Sequence, residues 1–174
     1  SLTELVCDLG LADCLVGRTG FCVHPREMLR QVPKVGGTKD VKLDVLRRLA
    51  PTHLIADIDE NRREAGEAIM EFVPHVGVVH PKTVDDNLAL YTLLGAIFGR
   101  EAEAARLATD FSLAREELAV VAARLPRENV LYLIWKKPWM SIARDTYISA
   151  TLAAAGWDTL PQENAARYPE IDLS

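Results

Sequence analysis

Glu101 to Leu125 (EAEAARLATDFSLAREELAVVAARL) carries one uninterrupted helical pattern. Leu107, Phe111, Ala114, Leu118, Val121 and Leu125 follow at steps of 4, 3, 4, 3 and 4, which puts all six on a single face. At about 1.5 Å per residue, this predicts a helix roughly 35 Å long, close to the diameter of a small domain. Pro126 follows it. The segments on either side follow a different pattern, so a helix of this length predicts a strut rather than another crossover.

N-terminal to the strut, short helix and strand patterns alternate. Ser1-Leu2-Thr3-Glu4 is a capping box opening a helix with Leu2, Leu5, Val6 and Leu9 on its apolar face, and Gly10 stops it. Leu15-Val16-Gly17 predicts a short strand before an irregular stretch, Arg18 to Pro33. Val35-Gly36-Gly37-Thr38 is a turn, and Asp40 is the candidate cap of a helix carrying Val41, Leu43, Val45, Leu46 and Leu49. Ala50-Pro51 ends that helix. His53 to Asp57 predicts a strand, Asn61 to Val73 an amphipathic helix, Val76 to Val79 the next strand, and Thr83 to Phe98 a further helix. Such alternation predicts a parallel sheet covered by helices.

C-terminal to the strut, Asn129 to Trp135 predicts a buried strand and Thr146 to Ala155 an Ala-rich helix before Gly156. The resulting expectation is an α/β lobe over 1–81, a helical connector over 82–125 and the beginning of a second α/β lobe over 126–174. One strand and one helix are too few for that last part to bury a core alone.

The 174 residues suit one domain or two small lobes. Twenty Lys and Arg against 25 Asp and Glu leave a net charge of −5, so no basic field holds nucleic acid or anionic lipid. An apolar share of 49% is globular composition, and no apolar run reaches the ~18 residues that span a bilayer. Cys7, Cys14 and Cys22 are odd in number and lack C-x-x-C spacing, which excludes a disulfide framework and a zinc module. The chain opens at Ser1 without a charged leader. In a processed chain that does not argue for the cytoplasm.

The usual enzyme motifs are absent. Gly36-Gly37-Thr38 lacks the spacing of a dinucleotide loop, there is no phosphate-binding P-loop, and no G-x-S-x-G elbow exists. Cys22-Val23-His24 sets a thiol beside an imidazole in sequence, but catalytic pairs are assembled from distant positions. Cys7 and Cys14 fit small buried hydrophobes. His24 lies in an irregular loop with Phe21, where it either contacts a ligand or stabilises the turn before Pro25. Asp57, Asp59 and Glu60 follow a strand and either meet a cation or form a solvated turn that caps the next helix. The four histidines show no metal-ligand grouping, so a metal site stays unassigned. Trp135-Lys136-Lys137-Pro138-Trp139-Met140 is the most unusual patch: two Trp in a Pro-containing loop suit stacking on a flat ligand, while one Trp plugging the base of the lobe is the alternative.

Several of these segments also fall in a familiar order. Ser-Leu-Thr-Glu-Leu, Leu15-Val16-Gly17, His24-Pro25, Val35-Gly36-Gly37, Val41-Lys42-Leu43-Asp44, Leu49 to Ala56, Trp157 and Tyr168 to Leu173 together resemble the helical-backbone (class III) substrate-binding proteins of ABC importers. The cobalamin-binding branch is the nearest likeness. The resemblance implies two Rossmann-like α/β lobes joined by one long rigid helix, with a ligand clamped between the lobes. It implies ligand contacts at Phe21, His24, Thr38, Asp57 in the loop to Asn61, Trp135, Trp139 with Met140, and Tyr168. Thr38 departs from the family, which often has an aromatic there. Asp44 matches an exposed acid that pairs with an Arg of the permease. The family also has a strand before Ser-x-Thr-Glu and several more βα units at the end. A piece of a longer chain is therefore the expectation, with the second lobe and the first strand truncated.

The resemblance thus implies a non-enzymatic, periplasmic or otherwise extracytoplasmic protein that takes a small-molecule metal chelate (cobalamin, haem or an iron–siderophore complex) to an ABC importer permease. It implies no cofactor of its own, no nucleic-acid partner and no membrane span. Two other expectations compete with it: an intracellular α/β enzyme or corrinoid-handling protein using Cys22 and His24, and an interaction module whose Trp135/Trp139 patch docks a protein.

Overall fold

A computed structural model of the chain describes residues 1–162 and 166–173. It is a mixed α/β structure with parallel strands, as the alternating patterns predict. These residues divide into two compact units: Ser1–His80 with Tyr91–Ala105, and Pro81–Leu90 with Arg106–Ser174.

The first unit opens with α1 (Leu2–Asp8). Its capping box is formed: the Ser1 hydroxyl accepts from the Glu4 N–H at 3.3 Å, and the Ser1 amino group donates to the Glu4 carboxylate at 3.2 Å. The expected strand at Leu15-Val16-Gly17 does not form. Among the described residues the pairing nearby is an isolated parallel bridge from Arg18 to Lys34, with the Arg18 N–H donating to the Pro33 carbonyl and the Val35 N–H to that of Arg18. Gly36 follows at φ +107°, where a Cβ would collide with the Asp40 carbonyl oxygen.

α2 (Leu43–Leu49) starts after Lys42, which occupies the cap position in place of Asp40. β1 (His53–Asp57), α3 (Arg63–Met70) and β2 (His75–Val79) form a parallel βαβ unit, with His53 opposite His75 and Asp57 opposite Val79. α3 starts later than Asn61 because that side chain is engaged in the loop, accepting from the Asp57 N–H and donating to the Thr38 carbonyl. Val35, Leu46, Ile69 and Val73 are the buried centre of this unit. Val41, Leu43, Val45, Leu49, Leu54, Phe72 and Val76 pack around them. These are the apolar positions of the sequence pattern, supplied by α2, α3, both strands and the segments that flank the two helices.

α4 (Asp86–Phe98) and α5 (Glu101–Ala122) follow. α5 is one unbroken helix of 22 residues, roughly 33 Å by its rise. At its start it meets α4 closely: a Cβ on Gly95 would stand 2.6 Å from the Ala104 Cβ, so only glycine fits there. Farther along, the apolar seam separates into two parts. Leu107 and Phe111 are half-buried, while Leu118, Val121 and Leu125 are exposed. The step pattern specified which residues share a face, not what covers it.

In the second unit, β3 (Glu128–Leu131), α6 (Tyr147–Ala154) and β4 (Trp157–Leu160) make another parallel βαβ unit, Glu128 opposite Trp157 and Leu131 opposite Leu160. β3 corrects the expected buried strand over Asn129 to Trp135. It ends at Leu131, and Leu131, Tyr132 and Leu133 are exposed, since the described strand has β4 on one side only. β4 was not anticipated at all. The interior here is partly polar. Ser149 and Thr159 hydroxyls share a 2.6 Å hydrogen bond, and the Ser141 hydroxyl donates to the carbonyls of Tyr132 and Leu160. All three residues are buried, so each hydroxyl must find a partner inside the protein. Thr146 caps α6, its hydroxyl accepting from the Ser149 N–H.

Candidate functional site

In parallel α/β sheets, ligands meet the loops beyond the carboxyl ends of the strands. In the first unit those loops follow Asp57 and Val79. The Asp57 carboxylate accepts from the Asp59 N–H at 2.8 Å, folding the loop back on itself. Asp59 Oδ1 stands 3.3 Å from His80 Nε2, and both side chains are largely covered. Lys39 donates to the Asp59 carbonyl at 2.6 Å, and Asn61 ties the same loop to Thr38 at 3.1 Å. Thr38 and Asp57, both expected at the site, are thus brought together. His80 was missed, although its position directly after a strand was a readable signal.

The Phe21 loop joins this cluster through its backbone. Gly20 donates to the Gly36 carbonyl at 2.7 Å, and the Phe21 ring lies against Gly37. Arg18 holds the loop from beneath, its guanidinium donating to the carbonyls of Cys22 (2.8 Å), Leu29 (3.3 Å) and Thr19 (3.4 Å). Sequence reasoning gave Arg18 no role. Phe21 is left 74% exposed and His24 is also exposed. The Cys22 thiol contacts the Thr19 hydroxyl at 3.2 Å and not the His24 imidazole, so no thiol–imidazole pair exists here. Among the described residues, no three His, Cys, Asp or Glu side chains converge to hold a metal ion.

In the second unit, the chain beyond β3 makes a tight hairpin. The Met140 N–H donates to the Trp135 carbonyl at 3.1 Å, and the Ile134 N–H to the Met140 carbonyl at 2.9 Å. Lys136, Lys137, Pro138 and Trp139 form its tip. The Lys136 ammonium lies 5.2 Å from the Trp139 ring centre, a cation–π distance. Trp135 is 64% exposed. The segment carrying Tyr168 runs antiparallel beside this hairpin: Ser141 donates to the Pro169 carbonyl and Ile171 to that of Trp139. Trp135, Trp139, Met140 and Tyr168 therefore belong to two adjacent stretches of backbone. Asp44 stands elsewhere, exposed on the first turn of α2 and paired with Arg48 at 3.1 Å.

These features can be set beside known proteins. The family model described as periplasmic binding protein matches residues 1–174. No curated protein matches the chain by sequence. The periplasmic vitamin B12 binding protein BtuF of Vibrio cholerae is similar in structure, with a TM-score of 0.86 at 19% identity over 98% of this chain and 67% of that one. The periplasmic heme-binding protein RhuT from Roseiflexus sp. RS-1 superimposes at 0.85 and 20% identity, covering 98% and 67%. A periplasmic heme binding protein from Pseudomonas aeruginosa gives 0.85 at 22%, covering 98% and 63%. The chain spans about two thirds of the length of these structures, and at such identities the likeness is one of fold.

Proposed function

The chain belongs to the periplasmic binding protein family, and on that premise we propose that it captures a corrinoid or an iron chelate, haem or a siderophore complex, for delivery to an ABC importer. It would do so outside the cytoplasm, as the family implies, by binding and release without bond chemistry. Among the described residues no helix is long and apolar enough to cross a membrane.

One observation carries this reading: two large rings, Phe21 on the loop that Arg18 holds and Trp135 on the hairpin beyond β3, are left open to solvent. Exposed aromatics held on a hydrogen-bonded loop and a hairpin suit a broad, flat, apolar guest, because they bury much area with little loss of rotamer freedom. Similarity to vitamin B12- and heme-binding structures supports the same class. The lack of a Cys22–His24 contact disfavours an enzyme built on that pair. We assign contacts to Phe21, His24, Thr38 and Asp57 in the first unit and to Trp135, Trp139 and Tyr168 in the second, each unit offering its own surface. Asp44, exposed and held in a surface ion pair with Arg48, is the proposed contact for a permease cation.

Titration with cyanocobalamin, haemin and a ferric siderophore, followed in the visible spectrum, tests the proposal. Saturable binding of one of the three at micromolar concentration or below is expected. Failure of all three overturns it.

A further inference from the structure

The amino ends of β1 and β2 hold a pair of side chains that the capture role does not use. His53 and His75 are the first residues of the two strands and stand opposite each other in the register. Their rings stack with centroids 4.6 Å apart and planes inclined at 27°. Both residues are exposed. They lie at the other end of the strands from Asp57, roughly 13 Å away at the usual rise per residue.

The geometry points to a bidentate site for a first-row transition-metal dication, the class that includes Ni2+, Cu2+ and Zn2+, with water completing the coordination. Imidazole nitrogen is a favoured donor for these ions. Two nitrogens bound to one ion at ~2.1 Å stand about 3 to 4 Å apart, a separation of the order at which these ring centroids already stand.

The surroundings prepare one ring for the task. The Thr52 hydroxyl lies 3.0 Å from His53 Nδ1. When Nδ1–H donates to that oxygen, the lone pair stays on Nε2, the outer-shell arrangement that fixes a ligating histidine. Phe98 of α4 sets its ring edge-on to His53, centroids 5.3 Å apart, which restricts the ring's swing. The His75 backbone is anchored in turn, its N–H donating to the Thr52 carbonyl at 3.1 Å. Solvent access leaves room for the remaining ligands to be water.

Ni2+ alone, added at about pH 8 where free imidazole is neutral, tests the site by calorimetry and by proton NMR of the histidine rings. The four histidines supply their own controls. Paramagnetic Ni2+ at low ratio should broaden His53 and His75 together and leave His24 and His80 sharp, with one ion bound per chain. Chelation makes the second nitrogen's binding intramolecular, so His53→Gln and His75→Gln should each weaken binding by about tenfold or more. The double variant, with neither imidazole left, should lose binding at this site. Equal broadening of all four histidines, or unchanged broadening of His53 in the His75→Gln protein, would overturn the proposal. Neither result bears on capture of a chelate at the opposite end of the strands.

Discussion

Replacing Trp135 by alanine separates capture from folding. The side chain offers roughly 200 Å² as an indole, and at 64% exposure about 130 Å² of it stays open to a guest. Covering that surface contributes about 3 kcal/mol at ~25 cal/mol per Å². Ordering of the ring and the guest brings the net to about 2 kcal/mol. At about 1.4 kcal/mol per decade, Trp135→Ala should therefore weaken binding of the preferred chelate about 30-fold. Stability should change by no more than ~0.5 kcal/mol, because little of the ring is packed in the folded protein. Trp135→Phe should recover most of the affinity, since area and flatness are what the ring supplies. Equilibrium dialysis against the coloured ligand gives the dissociation constant, and a urea titration gives the stability. An alanine variant that binds within twofold of the parent refutes the reasoning; so does one whose loss of binding tracks a loss of folding.

Four other substitutions address the fold. Gly36→Ala combines a φ of +107° with a collision against the Asp40 carbonyl, so it should cost ~1–3 kcal/mol in urea unfolding and weaken chelate binding by displacing the Thr38 turn. Ser149→Ala leaves the buried Thr159 hydroxyl without its 2.6 Å partner and should cost ~1–3 kcal/mol. The Ser149→Ala, Thr159→Val double variant should recover most of that loss, and a double-mutant cycle measures the coupling. Asp158 has its pKa held below the ordinary 3.8, chiefly by the Arg127 hydrogen bond; desolvation opposes this, and the Arg127 and Arg144 charges add to the lowering. A lowered folded pKa contributes stability that is present above 3.8 and lost as pH falls through the folded value. Asp158→Asn should therefore lower stability slightly at neutral pH, where the ionised carboxylate contributes, and its curve should converge with the parent's as pH falls below 3.8, giving a flatter acid limb.

The parts of the fold legible in the sequence are those set by neighbours along the chain. α5 announced itself through its 4-3-4-3-4 steps, α1 through a capping box that forms as written, and β1 and β2 through short apolar runs bounded by proline and acid. β4 was hidden because Trp-Asp-Thr-Leu carries no alternating pattern. Its extension depends on pairing with β3 and on Ser149 reaching Thr159 from α6. The Asn129–Trp135 run suggested burial because every residue but one is apolar, yet hydrophobicity alone does not provide a second neighbouring strand. At the candidate site, Phe21, Asp57 and Trp135 could be named from loop position, and Thr38 only from the family resemblance. The position of His80 just after a strand was a signal, but its pairing with Asp59 was not legible, because the partner comes from another segment; nor was the role of Arg18, whose carbonyl partners converge only when the loop folds.

Arg18 also bears on how such a receptor could change its taste. A single guanidinium gathers three carbonyls of the loop, so the backbone from Thr19 to Leu29 is anchored at both of its ends, whatever the residues at 21 and 24 display. The loop behaves like a mount with interchangeable fittings. Swapping the ring at 21 or the imidazole at 24 could retune which guest is accepted without rebuilding the frame. A change at 18 would loosen every fitting at once.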